Sequence, residues 1–115
     1  MITSAPFLLV RARLRPSKLA EFEQWHRTVH VPHVLAVPGI TAYRRVQIPA
    51  AAEANGPNHM AIFLFRDEEA IQPALGSSES DKARRDWEHW AADVRELSIQ
   101  IYAPLDSRAL LRHLN

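Results

Sequence analysis

A chain of 115 residues fits one domain, and we expect residues 1–115 to form a single domain. The sequence contains no cysteine, which excludes disulfides and thiolate metal sites and suits a reducing cytoplasm. Fourteen basic and thirteen acidic side chains leave no basic excess of the kind that nucleic-acid-binding proteins carry. Segment 1–15 has no basic leader and its apolar run ends at Arg11, so we expect neither a signal peptide nor a membrane span.

The first predicted strand covers residues 6–15, where apolar and polar side chains alternate after Leu9. Alternate residues of a strand point to opposite faces of the sheet. The wholly apolar face, which we expect helices to cover, holds Leu8, Val10, Ala12 and Leu14. The other face, which becomes polar halfway and is left for a partner, a cavity or water, holds Phe7, Leu9, Arg11 and Arg13.

Pro16 and Ser17 begin the first predicted helix, with Ser17 as its N-cap. Pro32 interrupts that helix, because proline has no N–H and its ring clashes with the carbonyl of Thr28. Val31 precedes the proline and is therefore biased out of the helical region. We expect a kink or a break at Pro32, followed by a short turn.

Three further strands are predicted over residues 40–48, 59–66 and 97–103. A turn-rich loop, 49–58, connects the first two of them. Asp67 caps a short helix that ends near Gly76, and Ser78 or Ser80 begins a longer helix. Residues 106–115 are typical of a short amphipathic tail. The element order βαββαβ predicts a ferredoxin-like α+β fold with a four-stranded antiparallel sheet.

Helices on one face of such a sheet leave its opposite face bare. The strand patterns assign Phe7, Leu9, Phe63 and Phe65 to the bare face. A large exposed apolar patch needs cover, most simply by a second copy of the chain. The sequence therefore predicts a homodimer.

Residues 22–46, FEQWHRTVHVPHVLAVPGITAYRRV, resemble the signature of small dimeric α+β barrel proteins, including the EthD-type proteins. The matching residues are Trp25, His30, Pro32, Pro38, Gly39 and Tyr43 or Arg44. Relatives often carry Tyr after the Trp and an acid directly before the His, whereas this chain has His26 and Val29 there. A carboxylate that could orient His30 locally is therefore missing. The resemblance implies the dimeric α+β barrel fold but no single reaction, since the superfamily includes cofactor-free monooxygenases, isomerases, cyclases, dehydratases and haem enzymes.

Three histidines, His26, His30 and His33, fall within roughly 60° of arc on an ideal helix. His26 and His30 have the i, i+4 spacing that lets two imidazoles bind one metal, with His59 as a possible third ligand. No carboxylate stands between the pair, so the usual zinc signature is incomplete and we predict no bound metal. The structural alternative is that each histidine is half-buried and bonded to a backbone carbonyl or water.

His30 is the candidate catalytic residue, because it borders the predicted break and occupies the His-x-Pro place of the resemblance. A neutral imidazole there could act as general base or acid near pH 7.

Segment 82–89 mixes charges of both signs and is typical of a solvated helix face. The candidate substrate-binding residues are Phe22, Trp25, His26, Tyr43 and His33.

Sequence and resemblance together favour a small cofactor-independent enzyme of the isomerase, lyase, dehydratase or monooxygenase type. Its substrate would be a small apolar molecule, aromatic or polyketide-like, and His30 would move a proton. A non-catalytic ligand-binding or accessory protein with the same pocket is the alternative, and a metal-dependent enzyme using His26 and His30 is a third hypothesis. We expect a cytoplasmic protein with no cofactor and with neither nucleic acid nor membrane as a partner.

Overall fold

The computed structural model describes residues 5–48 and 56–104. They form the predicted ferredoxin-like α+β fold, in which one four-stranded antiparallel sheet has the strand order β2-β3-β1-β4. The strands are β1 (Phe7–Leu14), β2 (Ile40–Val46), β3 (His59–Phe65) and β4 (Val94–Tyr102). The helices are α1 (Leu19–Trp25), α2 (Val31–Leu35), α3 (Ile71–Leu75) and α4 (Ser78–Asp86). Within those ranges no helix is long and apolar enough to cross a membrane.

The wholly apolar face of β1 packs beneath the helices, as its alternation predicts. Val10, Ala12 and Leu14 are at most 3% exposed there. Phe22 of α1 is fully buried in the same core cluster as Ala12 and Leu14. Burying one such large side chain contributes about 1.5–3 kcal/mol. The helix-covered face of the sheet is therefore the core of the fold.

Phe63 and Phe65 lie in this core, so the prediction that they belong to the bare face is wrong. Phe63 pairs with Leu8 of the apolar face of β1, and both phenylalanines are at most 1% exposed. Every residue of β3 after His59 is apolar, and a strand that is apolar on both faces does not reveal which side points inward. The partly exposed apolar residues on the bare face of β1 and β3 are Phe7, Leu9, Met60, Ile62 and Leu64.

A π-helical turn, His26–His30, joins α1 to α2. Of the kink or break predicted at Pro32, the break is wrong, because Pro32 lies in the first turn of α2 and Val31 is helical, with φ −55° and ψ −46°. The Val31 N–H donates to the carbonyl of His26, five residues earlier. This wider turn lets the helical path continue past the proline, whose missing N–H falls where a new helix begins.

The first helical segment also begins differently from the prediction. Pro16–Lys18 is a short 3-10 turn with Arg15 at its N-cap, and no side chain caps it. Ser17 lies inside that turn, so its predicted role as N-cap is wrong. Proline at the start of a helix has the required φ already, and this favours a start at Pro16 over one at Ser17.

Asp67 caps the next helical segment as predicted, accepting a hydrogen bond from the Ala70 N–H at 2.9 Å. The longer helix α4 begins at Ser78, one of the two predicted starts, and Ser77 caps it, its hydroxyl accepting from the Ser80 N–H at 3.1 Å. Neighbouring serines are equally good N-caps by type, which is why sequence does not separate them. The predicted tail 106–115 lies outside the described residues, as does most of the predicted loop 49–58.

Strand β4 begins at Val94, three residues earlier than predicted, and forms one edge of the sheet. Its side chains on the helix side are paired with the buried face of β1, yet they are 37–46% exposed: Leu97, Ile99 and Ile101. The helices cover the three other strands more fully than this edge. The helix-covered layer is therefore open beside β4, next to the cavity described below.

Candidate functional site

A cavity of about 100 Å³ lies between α2, α4 and the covered face of the sheet. Most of its lining is apolar, and Val34, Phe63 and Ile99 contribute from three different elements. The polar side chains in the lining are His30, Ser80 and Arg84. Apolar walls with a few polar groups are typical of sites for small molecules.

His30 enters the cavity wall from the end of the π-helical turn and is 3% exposed. The Asp86 carboxylate of α4 accepts a hydrogen bond from Nδ1 of His30 at 2.9 Å, and the same oxygen accepts from Nδ1 of His33 at 2.7 Å. A carboxylate only accepts hydrogen bonds, so both Nδ1 atoms carry the proton. In its neutral form, His30 therefore keeps a lone pair on Nε2.

Asp86 is the functional candidate that sequence reasoning missed. It lies 56 residues beyond His30, inside the segment interpreted as a solvated helix face. Its side chain is only 13% exposed. One feature of the sequence indicated that Asp86 faces the core. Asp86 comes three residues after Ala83, which is buried, and residues three apart share a helix face.

Burial and hydrogen bonding set the charges of this pair. Burial lowers the pKa of His30, and the hydrogen bond to Asp86 opposes that effect without reversing it. For Asp86 burial acts to raise the pKa, but the hydrogen bonds from His30 and His33 outweigh it and lower the pKa overall. At neutral pH the pair is therefore an ionised carboxylate that holds a neutral imidazole.

His26 lies behind His30 and is 1% exposed. Neither of its ring nitrogens has a hydrogen-bond partner among the described residues. The pKa of His26 is lowered to about 2. Burial is the largest cause, and the neighbouring His59 and His30 also contribute. The imidazole of His26 is therefore neutral at any physiological pH.

His59 begins β3 beside His26, with the two ring centroids 4.4 Å apart. The Glu23 carboxylate of α1 accepts a hydrogen bond from Nδ1 of His59 at 2.7 Å. Glu23 was not singled out from the sequence, because 36 residues separate it from His59. In the described part of the chain, no three His, Asp or Glu side chains are arranged to hold a metal ion, and metal content stays a prediction.

None of the five predicted substrate-binding residues borders the cavity. Phe22 is fully buried in the core, and Trp25 stacks on the ring of His30 with centroids 5.6 Å apart. Tyr43 packs on Phe63 at 5.2 Å, and burial raises the pKa of its hydroxyl. Trp25 and His26 contact the ring of His30, and His33 shares its Asp86 oxygen. Contact of any of the five residues with a substrate stays a prediction.

The fold and this site define a ferredoxin-like α+β protein with a histidine–carboxylate pair at an apolar cavity. The chain belongs to the family described as a domain of unknown function, DUF4286, whose model matches residues 8–97. No curated protein matches the sequence.

Solved structures confirm the resemblance to EthD-type and related dimeric α+β barrel proteins. An EthD family protein from Bacillus halodurans has a TM-score of 0.69 and 18% identity, over 86% of this chain and 98% of that chain. HapK from Hahella chejuensis has a TM-score of 0.62 and 16% identity, over 89% and 94%. A mutant of SnoaB, a cofactor-independent oxygenase from Streptomyces nogalater, has a TM-score of 0.62 and 13% identity, over 91% and 97%. At such identities the likeness shows the fold alone.

Proposed function

We propose that the protein is a small cofactor-independent enzyme in which His30 transfers a proton to and from a small, largely apolar molecule. The observation that carries the proposal is the placement of His30 in the wall of an apolar cavity, where Asp86 fixes its tautomer. A base held in one tautomer by a carboxylate is a recurrent catalytic arrangement. SnoaB, which has a similar fold, is a cofactor-independent oxygenase, and this likeness is consistent with the proposal.

The chemistry begins with a C–H bond that a neighbouring carbonyl makes acidic. Nε2 of His30 takes the proton, and the ionised Asp86 stabilises the imidazolium that results. Ser80 and Arg84 are the other polar side chains of the wall and can donate to the oxygen where negative charge develops. Return of the proton to another carbon gives an isomerisation, and loss of a leaving group gives an elimination. An oxygenase would in addition need an electron-rich substrate and oxygen.

Deuterium incorporation tests this proposal without knowledge of the natural substrate. The protein is incubated in D₂O with small aromatic 1,3-dicarbonyl compounds, and loss of the acidic C–H signal is followed by proton NMR. His30→Gln keeps the approximate volume but cannot take up the proton, so the enzymatic rate should fall about 100- to 10,000-fold. The melting temperature should change little, because the hydrogen bond to Asp86 can be retained.

His89→Gln is the matched control, because His89 is exposed and does not line the cavity. It should exchange deuterium at the wild-type rate. Equal rates in wild type and His30→Gln would show that His30 is a structural residue only. If the compounds protect the protein against unfolding and no exchange is catalysed, the non-catalytic ligand-binding alternative is correct.

We also propose that the protein is a homodimer that covers the bare face of the sheet. The support is the partly exposed apolar side chains on that face, among them Phe7, Leu9 and Leu64. A stable interface buries about 1,200–2,000 Å². Sedimentation at micromolar concentration should give a dimer mass for wild type and a monomer mass for Leu9→Arg. A folded monomeric wild type would contradict the proposal.

A further inference from the structure

His30 contacts a second set of polar side chains besides Asp86, and this set begins with His26. His26 contacts both His30 and His59, with ring centroids 5.3 Å and 4.4 Å apart. His59 in turn donates to Glu23 at 2.7 Å. We call the series Glu23, His59, His26 and His30 the imidazole chain.

The imidazole chain connects the protein interior to its surface. His26, His30 and His59 are at most 3% exposed, whereas the Glu23 side chain is 28% exposed. Glu23, His26 and His30 follow one another at spacings of three and four residues along α1 and the π-helical turn, and tertiary packing adds His59 from β3. Ring contacts thus run from the cavity wall to His59, whose hydrogen bond reaches a carboxylate that water can reach, while the facing imidazole nitrogens are not hydrogen-bonded to one another.

Three ring nitrogens in this chain are buried and have no hydrogen-bond partner among the described residues: Nδ1 and Nε2 of His26, and Nε2 of His59. Proteins rarely retain such groups, because a buried polar atom without a partner destabilises the fold. An apolar side chain would fill the place of His26 without that penalty. Two adjacent imidazoles with unused nitrogens therefore indicate a role in proton transfer.

We propose that Glu23, His59 and His26 form a proton path that connects His30 with solvent. The proposal rests on the proposed function of His30, since the path serves to restore His30 after each proton transfer. His59 and His26 are positioning residues in this scheme, because they act through His30 and do not line the cavity.

The transfer balances one proton at each end. The proton on Nε2 of His30 passes to one nitrogen of His26, and the N–H on the other nitrogen of His26 passes to Nε2 of His59. The Nδ1–H of His59 then passes to the Glu23 carboxylate, which releases a proton to water. At every step one N–H or O–H bond forms as another breaks, and small ring rotations bring the nitrogens of neighbouring imidazoles together.

The surroundings of His26 favour concerted transfer. Its ring lies among Phe22, Tyr43, His30 and His59, and no carboxylate of the described residues is hydrogen-bonded to it to stabilise an imidazolium. A relay that changes only the tautomer of His26 never leaves charge on its ring. Charged groups also lie near Tyr43, which contacts His26. Besides burial, Glu23 raises the pKa of Tyr43, and Arg45 and Arg27 lower it.

NMR on protein labelled with ¹⁵N-histidine tests the path in the absence of substrate. Relaxation dispersion of the ring nitrogens reports how fast His26 exchanges between its two tautomers. The exchange requires one proton to reach a ring nitrogen of His26 and another to leave the opposite nitrogen, and His30 and His59 are the neighbouring imidazoles that can pass them. Glu23→Gln can still accept from His59 but cannot take up the proton. It should slow the exchange about 100-fold, the lower end of what positioned proton transfer contributes.

Two variants separate proton transfer from a structural effect. Glu23→Asp keeps the carboxylate and should retain most of the exchange. Glu21→Gln makes the same chemical change on the same helix at an exposed side chain paired with Lys18, and should exchange at the wild-type rate. In all variants the ring shifts of His30 should remain those of the Nδ1–H tautomer.

A wild-type His26 that shows one tautomer and no exchange would overturn the path. So would exchange in Glu23→Gln at the wild-type rate. Neither result would bear on whether His30 catalyses deuterium incorporation, because that proposal is tested by its own assay. The proton path can therefore be refuted while the proposed function stands.

Discussion

Replacing His26 by Leu should remove part of the acid sensitivity of the protein. Burial, with the neighbouring His59 and His30, lowers the pKa of His26 from 6.5 to about 2. Below pH 6.5 the unfolded chain binds a proton at this position and the folded chain does not. The free energy of unfolding must therefore decrease as the pH falls from 6.5 towards 2, and the stability is fully present above 6.5.

The size of the effect follows from the width of that pH window. One pKa unit corresponds to about 1.36 kcal/mol of free energy. At pH 4.5, about two units below the pKa of the unfolded chain, His26 should therefore lower the free energy of unfolding by about 3 kcal/mol relative to neutral pH. Small domains are stable by only about 5–15 kcal/mol, so the loss is measurable. The His26→Leu variant lacks the titrating group and should lose about 3 kcal/mol less than wild type between about pH 7.5 and pH 4.5.

Urea denaturation at the two pH values gives the free energies of unfolding by linear extrapolation. His30, whose pKa is also lowered by burial, contributes in the same direction and is present in both proteins. His89→Leu, a change at an exposed histidine, should lose as much stability as wild type. If His26→Leu and wild type lose the same free energy, the buried His26 is not the source of acid sensitivity and the reasoning is refuted.

Three further predictions concern the site and the backbone. Asp86→Asn should slow deuterium incorporation about 100-fold or more, because an amide cannot stabilise the imidazolium of His30; an unchanged rate would show that the carboxylate is dispensable. Gly39→Ala should lower the free energy of unfolding in urea by about 1–3 kcal/mol, because Gly39 has φ +94° and a Cβ there would lie 2.9 Å from the Cβ of Ala70. A wild-type value for this variant would mean that the turn relaxes. Elemental analysis after purification without a histidine tag should find no transition metal, and stoichiometric zinc, iron or nickel would favour the metal-dependent hypothesis.

The sequence by itself determined the order of the elements and the inward face of β1. Alternation and helical spacing are local patterns, and in β1 they are unambiguous, because Val10, Ala12 and Leu14 alternate with arginines. The choice of His30 depends mainly on the family resemblance, whose His-x-Pro motif is contiguous in the chain, and its catalytic role stays a prediction. Proline chemistry also marked the right segment, although the helix adapts through a π-helical turn before Pro32.

Tertiary structure alone decided the facing of β3 and the partners of the histidines. A strand that is apolar on both faces carries no period to orient it, so only the register with β1 placed Phe63 in the core. The contact between His30 and Asp86 joins residues 56 positions apart, and it depends on how α4 packs over the turn that carries His30. Local periodicity describes which side of an element is apolar, but it holds no information about which other element comes to lie against that side.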